Sequence, residues 1–139
     1  MNMPNLVRHG LYRDFESGMT SDATHMLYES AKKSPEEISE MIRETWNYIK
    51  EENKSNHVVS HFFYLLGCEV NRDLVKDISL DIVQYGLNHE DDEVVDNTIG
   101  LIETWNDKDI LDLLYNTEIK MEWLEEYKMA VLEQFDYFK

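Results

Sequence analysis

An all-α fold is what this sequence predicts, and three observations carry the prediction. Apolar residues recur three and four apart along most of the 139-residue chain, and no strand is evident. Only five Gly and two Pro interrupt it, too few for the many tight turns of an all-β domain or for linkers. Start signals precede several of the apolar stripes, the clearest being Ser34-Pro35-Glu36-Glu37. One domain over residues 1–139 is expected, long enough for a core without staples.

The elements follow in order. Pro4 fits a first helical position, with Leu6, Val7, Leu11, Tyr12 and Phe15 at helical spacing until Ser17-Gly18. Thr20, Ser21 or Asp22 can cap a second helix carrying Ala23, Met26, Leu27 and Ala31. Ser34 as N-cap, Pro35 behind it and Glu37 as the return arm of a capping box then open the stripe Ile38, Met41, Ile42, Thr45, Trp46, Ile49. After a polar loop at residues 53–56 comes a short helix with Val58, Val59, Phe62, Phe63, Leu65 and Leu66. It is apolar on more than one side, which predicts the most buried element, and Gly67 fits a left-handed cap at its end. Asn71 can cap the next helix, with Leu74, Val75, Ile78, Ile82 and Val83 as its stripe. Asp91 or Asp92 caps another, with Val94, Val95, Thr98, Ile99, Ile102 and Trp105. A short helix bears Ile110, Leu111, Leu113 and Leu114, and a final one runs over about 119–138 with Trp123, Leu124, Tyr127, Val131, Leu132, Phe135 and Phe138.

That makes about four helical hairpins, over about 4–33, 35–67, 71–105 and 107–138. The acidic turn Asn88-His89-Glu90-Asp91-Asp92, the Val94-Val95 pair and the β-branched Thr98 resemble the start of the second helix in a HEAT-type repeat. Val58-Val59, Phe62-Phe63 and Leu66 align with Val94-Val95, Thr98-Ile99 and Ile102 at an offset of 36 residues. The resemblance is best over 71–138 and implies a short HEAT-like α-solenoid, in which each unit needs its neighbour to bury its stripe. The alternative is a compact irregular helix bundle.

Charge narrows the partner. The chain carries 29 acidic and 13 basic residues, net −16, and residues 88–139 hold 15 acidic against 4 basic. Such a field repels nucleic-acid phosphates and anionic lipid and attracts basic proteins. No apolar run is long enough to span a membrane, no signal-peptide core opens the chain, and the single Cys68 cannot form an internal disulfide. A cytoplasmic protein with a buried, reduced Cys68 is expected.

His57 and His61 stand four apart on one helical face, the spacing of two metal ligands, but no third ligand lies near them in sequence. Di-iron hydroxylases built from helical repeats are similar in architecture and cage their irons with His-Glu pairs from opposing repeats. His89-Glu90 is one such pair, and its equivalents in the other repeats are absent. No Ser-His-Asp or Cys-His set and no glycine-rich phosphate loop is present, so neither catalysis nor a cofactor is expected.

The remaining constellation is acidic. With Val95, Ile99 and Ile102 facing a core, Asp92, Asp96, Gly100 and Glu103 fall on the opposite helix face. Glu122, Glu126, Glu133 and Asp136 lie opposite Leu124, Val131 and Phe135 on the last helix. The resemblance implies that such second helices line a concave surface. Gly100 there costs about 1 kcal/mol relative to Ala and lets another backbone come close. Trp105 and Trp123 beside these carboxylates suit the anchoring of a basic partner. The expected function is a non-enzymatic module that binds and masks a basic protein. In size, charge and fold it resembles immunity or inhibitor proteins that neutralise toxins such as nucleases. A phage-type nucleic-acid mimic directed against host defence and a cellular assembly scaffold are the alternatives.

Overall fold

The computed structural model describes residues 34–51 and 55–139, so the helical pair expected over 4–33 lies outside the described residues. Among the described residues there are six α-helices, one 3₁₀ turn and no strand. The helices are α1 (Pro35–Glu51), α2 (Asn56–Glu69), α3 (Lys76–Leu87), α4 (Asp92–Trp105), α5 (Lys108–Asn116) and α6 (Glu122–Gln134). The 3₁₀ turn, Arg72–Val75, precedes α3.

Local polar chemistry starts these helices. Ser34 Oγ accepts from Glu36 N (3.1 Å) and donates to the Glu36 carboxylate (2.5 Å), so the carboxylate that meets Ser34 is that of Glu36 rather than Glu37. Ser55 caps α2, Asn71 caps the 3₁₀ turn through Asp73 N, and Asp91 caps α4 by accepting from Glu93 N (3.0 Å) and Val94 N (3.2 Å). Asp107 precedes α5 without a side-chain cap bond because its carboxylate is taken by Arg72 (2.6 Å).

Two ends differ from the sequence prediction. Gly67 does not cap α2, which runs on to Glu69 with Val70 as its C-cap. The last helix stops at Gln134, where Asp136 adopts φ 55° and Tyr137 N bonds back to Leu132 O (2.9 Å), a Schellman closure with Asp in the left-handed position.

α2 is the centre of the core. Val58, Val59, Phe62, Phe63, Leu65 and Leu66 are all buried, and the helix packs along α4, whose Val94, Val95, Thr98, Ile99, Leu101, Ile102 and Trp105 are buried in turn. α1 lies against the 3₁₀ turn, α3 touches α4 and α5, and α6 covers the far side of α4 and α5. Cys68 is exposed, contrary to the expectation of a buried thiol, because it follows Tyr64 by one turn on the outward edge of α2.

Many of the polar bonds that join the elements from α1 to α5 recur at one sequence separation, whereas α6 is joined to α4 by Tyr127 and Glu103, 24 apart. Ser39 Oγ donates to Leu74 O (2.8 Å), Arg43 holds Asp77 (2.5 and 2.8 Å) and Asn56 reaches Asp91 (3.3 Å). Asn97 donates to Ser60 O (3.1 Å) and Oγ (2.6 Å), Trp105 donates to Val70 O (3.0 Å), and Arg72 reaches Asp107 (2.6 Å) and Asp109 (2.7 and 2.8 Å). Every one of these links residues 34 to 37 apart. Arg72 is buried at 5 % exposure, with Ser79 accepting from its Nε (2.9 Å), so its charge is fully partnered.

Gly86 is the point of closest approach. A Cβ there would overlap Thr98 Oγ1 and stand 2.9 Å from two ring carbons of Phe63, whereas a Cβ at Gly67 would stand 3.6 Å from Leu101 Cα, an ordinary contact. Gly86→Ala is therefore expected to lose about 1–3 kcal/mol in urea unfolding despite a gain of about 1 kcal/mol in helix propensity. Gly67→Ala, which keeps the propensity gain without the clash, should match or exceed the wild-type midpoint.

Candidate functional site

The outward side of α4 is where the acidic residues gather, and its register follows from the buried side. With Val95, Ile99 and Ile102 in the core, Asp92 is left exposed at the first turn and Asp96, Gly100 and Glu103 follow one turn apart. This face is not fully solvated. α6 sets Tyr127 against it, and the Tyr127 hydroxyl donates a short hydrogen bond to Glu103 Oε1. Burial, reinforced by the bond to Glu103 and by the charges of Glu103 and Asp96, pushes the Tyr127 phenol well above its ordinary range.

Asp96 is half-buried beside it. Burial, aided by the negative charge of Glu93, holds the Asp96 carboxyl above its usual range, and among the described residues no basic side chain pairs with it. Asn97, the nearest amide in sequence, gives its NH₂ to Ser60 instead.

Between α2, α4 and α6 this arrangement leaves a cavity of about 250 Å³. Phe63, Tyr64 and Gly67 line it from α2, Asp96, Gly100 and Thr104 from α4, and Tyr127 from α6, with exposed Cys68 among its lining residues. Gly100 does not admit a neighbouring backbone as the sequence suggested. A Cβ built on it would meet only the Tyr127 hydroxyl at 3.6 Å, and the close approach occurs at Gly86.

The other expected contact residues are dispersed around this centre. Glu122, Glu126 and Glu133 are exposed along α6, and Trp123 is 48 % exposed on the same helix. Trp105 is at 5 % exposure with its indole N–H donating to Val70 O, which makes it a clasp between α4 and the end of α2 and removes it from any surface. Asp92 lies away from the cavity, at a groove of about 490 Å³ shared with His89, Glu118 and Lys120.

His89 has a local role. His89 Nδ1 accepts from Asp91 N (3.0 Å) and so shapes the turn before α4, and the His57 and His61 rings stand 6.2 Å apart with His61 buried. Among the described residues no group of three or more His, Cys, Asp or Glu side chains is placed to hold a metal ion. No helix among them is long and apolar enough to cross a membrane.

No family model, curated protein or solved structure matches the chain. The chemistry of the face must be read from the face itself: carboxylates in a partly dry setting, an aromatic wall and few local cations. Sequence reasoning missed the Tyr127 to Glu103 pair and the cavity, since the two residues are 24 apart and nothing local couples them.

A raised carboxyl value means that ionised Asp96 opposes folding above its unfolded-state value, and that this penalty vanishes as pH falls through the folded-state value. Asp96→Asn removes the charge. Thermal unfolding should show the variant melting at or above wild type near neutral pH, with the difference closing as the buffer approaches about pH 4, inside the carboxylate range.

Proposed function

We propose that this chain is a non-enzymatic acidic binding module that captures a basic protein and covers its cationic surface, acting as an immunity or inhibitor protein does towards a toxin such as a nuclease. The observation that carries the reading is where the charge lies. Residues 88–139 hold 15 acidic and 4 basic side chains. Within that stretch α4 and α6 pack together, the carboxylates of Asp92, Glu122, Glu126 and Glu133 are exposed, and Asp96 is half-buried with no basic partner among the described residues. Such a surface accelerates encounter with a basic partner and disfavours acidic ones.

A HEAT-like stack is the architecture this reading assumes. Its support is the separation of 34 to 37 residues that recurs in side-chain bonds between the elements from α1 to α5, which matches the 36-residue offset of the two Val-Val stripes and lies close to the period of helical repeats. In that frame α1 with α2, α3 with α4 and α5 with α6 are successive units, and the second helices α2, α4 and α6 present one continuous face to the partner. The setting for such an inhibitor is the cytoplasm.

Reversing three of these exposed carboxylates (Asp92→Lys, Glu122→Lys, Glu126→Lys) tests the reading with little risk to the core. A basic partner recovered at low salt should associate about tenfold more slowly with the triple variant and with a shallower salt dependence, measured by stopped-flow or surface kinetics. Affinity that stays constant while ionic strength is raised would sink the proposal.

A further inference from the structure

We propose that the cavity between α2, α4 and α6 receives an arginine side chain of the basic partner, with the guanidinium against Asp96 and the alkyl stem along Tyr64 and Tyr127. The inference rests on the reading of the chain as a binder of basic proteins and adds the contact that gives it specificity.

Size is the first reason. At about 250 Å³ the cavity falls below the roughly 300–1,000 Å³ of small-molecule sites, which suits one long side chain. The walls are the second. Tyr64, 42 % exposed, and Tyr127 offer aromatic surface from two helices, and Phe63, fully buried, closes the inner end. A planar, weakly hydrated guanidinium stacks on such rings while its fork meets a carboxylate, whereas a strongly hydrated ammonium loses more on entering.

Charge is the third. Asp96 has no cationic partner among the described residues, and burial already disfavours its ionised form, so a fixed cation at the cavity relieves a cost the isolated protein bears. The neighbouring donors are committed elsewhere: Asn97 to Ser60 and the Tyr127 hydroxyl to Glu103. Gly100 supplies the fourth reason. Glycine inside a helix is disfavoured against alanine, yet nothing packs against this one more tightly than the Tyr127 hydroxyl at 3.6 Å. Packing does not demand glycine here, and what the missing side chain leaves open is the cavity.

Cys68, exposed beside the cavity and the only cysteine in the sequence, provides a reporter on the full-length protein. Its labelling rate with an uncharged maleimide is measured against rising concentrations of N-acetyl-arginine methylamide and of the citrulline and lysine analogues. The arginine amide should slow labelling saturably, and the citrulline analogue, lacking the charge, should need about tenfold more for equal protection. Gly100→Leu, which fills the cavity, and Asp96→Asn, which leaves its shape intact, should each remove arginine protection while the helical circular dichroism is retained. Equal protection by citrulline, or full arginine protection in both variants, overturns the site.

Partner kinetics separate this inference from the reading beneath it. A partner that binds Gly100→Leu and Asp96→Asn as wild type, yet is slowed by the exposed reversals, rules out the cavity and leaves the acidic binder standing. Protection by arginine amide alongside salt-independent partner binding does the reverse.

Discussion

Burial of α2 against α4 is the contact on which the rest of the structure depends. α2 is short and apolar around most of its circumference, and each of its large side chains is worth about 1.5–3 kcal/mol only once water is removed from it. α4 removes that water along one side, Trp46 of α1 stacks on Phe62, and Gly86 of α3 meets Phe63. The fit is tight enough that Gly86 of α3 must lack a side chain for Phe63 and Thr98 to meet it. Trp105 then locks the end of α4 to the end of α2 by donating to Val70 O. With α4 fixed in rotation by this side, its opposite side is fixed as well. The direction in which Asp96, Gly100 and Glu103 point is thus a consequence of packing on the far face of the same helix.

The same logic governs the charges. Several of the few basic side chains are spent on architecture. Arg43 ties α1 to Asp77 of α3, and buried Arg72 ties the 3₁₀ turn to Asp107 and Asp109 at the start of α5. Lys128, also buried, donates to Thr117 O and stands 3.7 Å from Glu125. These pairings hold the Asp77 and Asp109 carboxyls below their ordinary range, with the guanidinium hydrogen bond as the leading cause in each. Cations placed at the joints between elements are not available to neutralise the outward faces of α4 and α6. The acidic excess therefore stays where α4 and α6 display it, and it is tolerated because most of it is exposed and screened.

What the sequence revealed was what is encoded locally or periodically. The all-helical class, a cap at Asp91 or Asp92 and the stripes of α1 to α4 all rest on residues a few positions apart or on a repeating interval. The misreadings share a cause as well. For Cys68, Gly67, Gly100 and Trp105 the surrounding run of residues points one way, while neighbours 27 to 35 positions away, or the edge of a helix that turns outward, decide the outcome. Gly86 shows this best: nothing in its own stretch separates it from Gly100, and only the arrival of Phe63 and Thr98 decides which glycine admits a close neighbour. The cavity was illegible for the same reason, since its walls come from three helices.

Half-burial of the α4 face changes how it can act. A row of fully solvated carboxylates attracts any cation weakly and holds none in a defined pose, because water screens the charge and the side chains keep their rotamer freedom. Here the Tyr127 hydroxyl fixes Glu103, and the wall from α2 and α6 takes water from Asp96. Rigid, partly desolvated acceptors give up less entropy when a partner arrives and interact with it through less intervening solvent. The cost falls on the protein itself, whose surroundings disfavour the ionised form of Asp96. A neutral residue at that position removes the cost. Asp96 thus carries a cost of burial that the exposed carboxylates of α6 escape by staying in water.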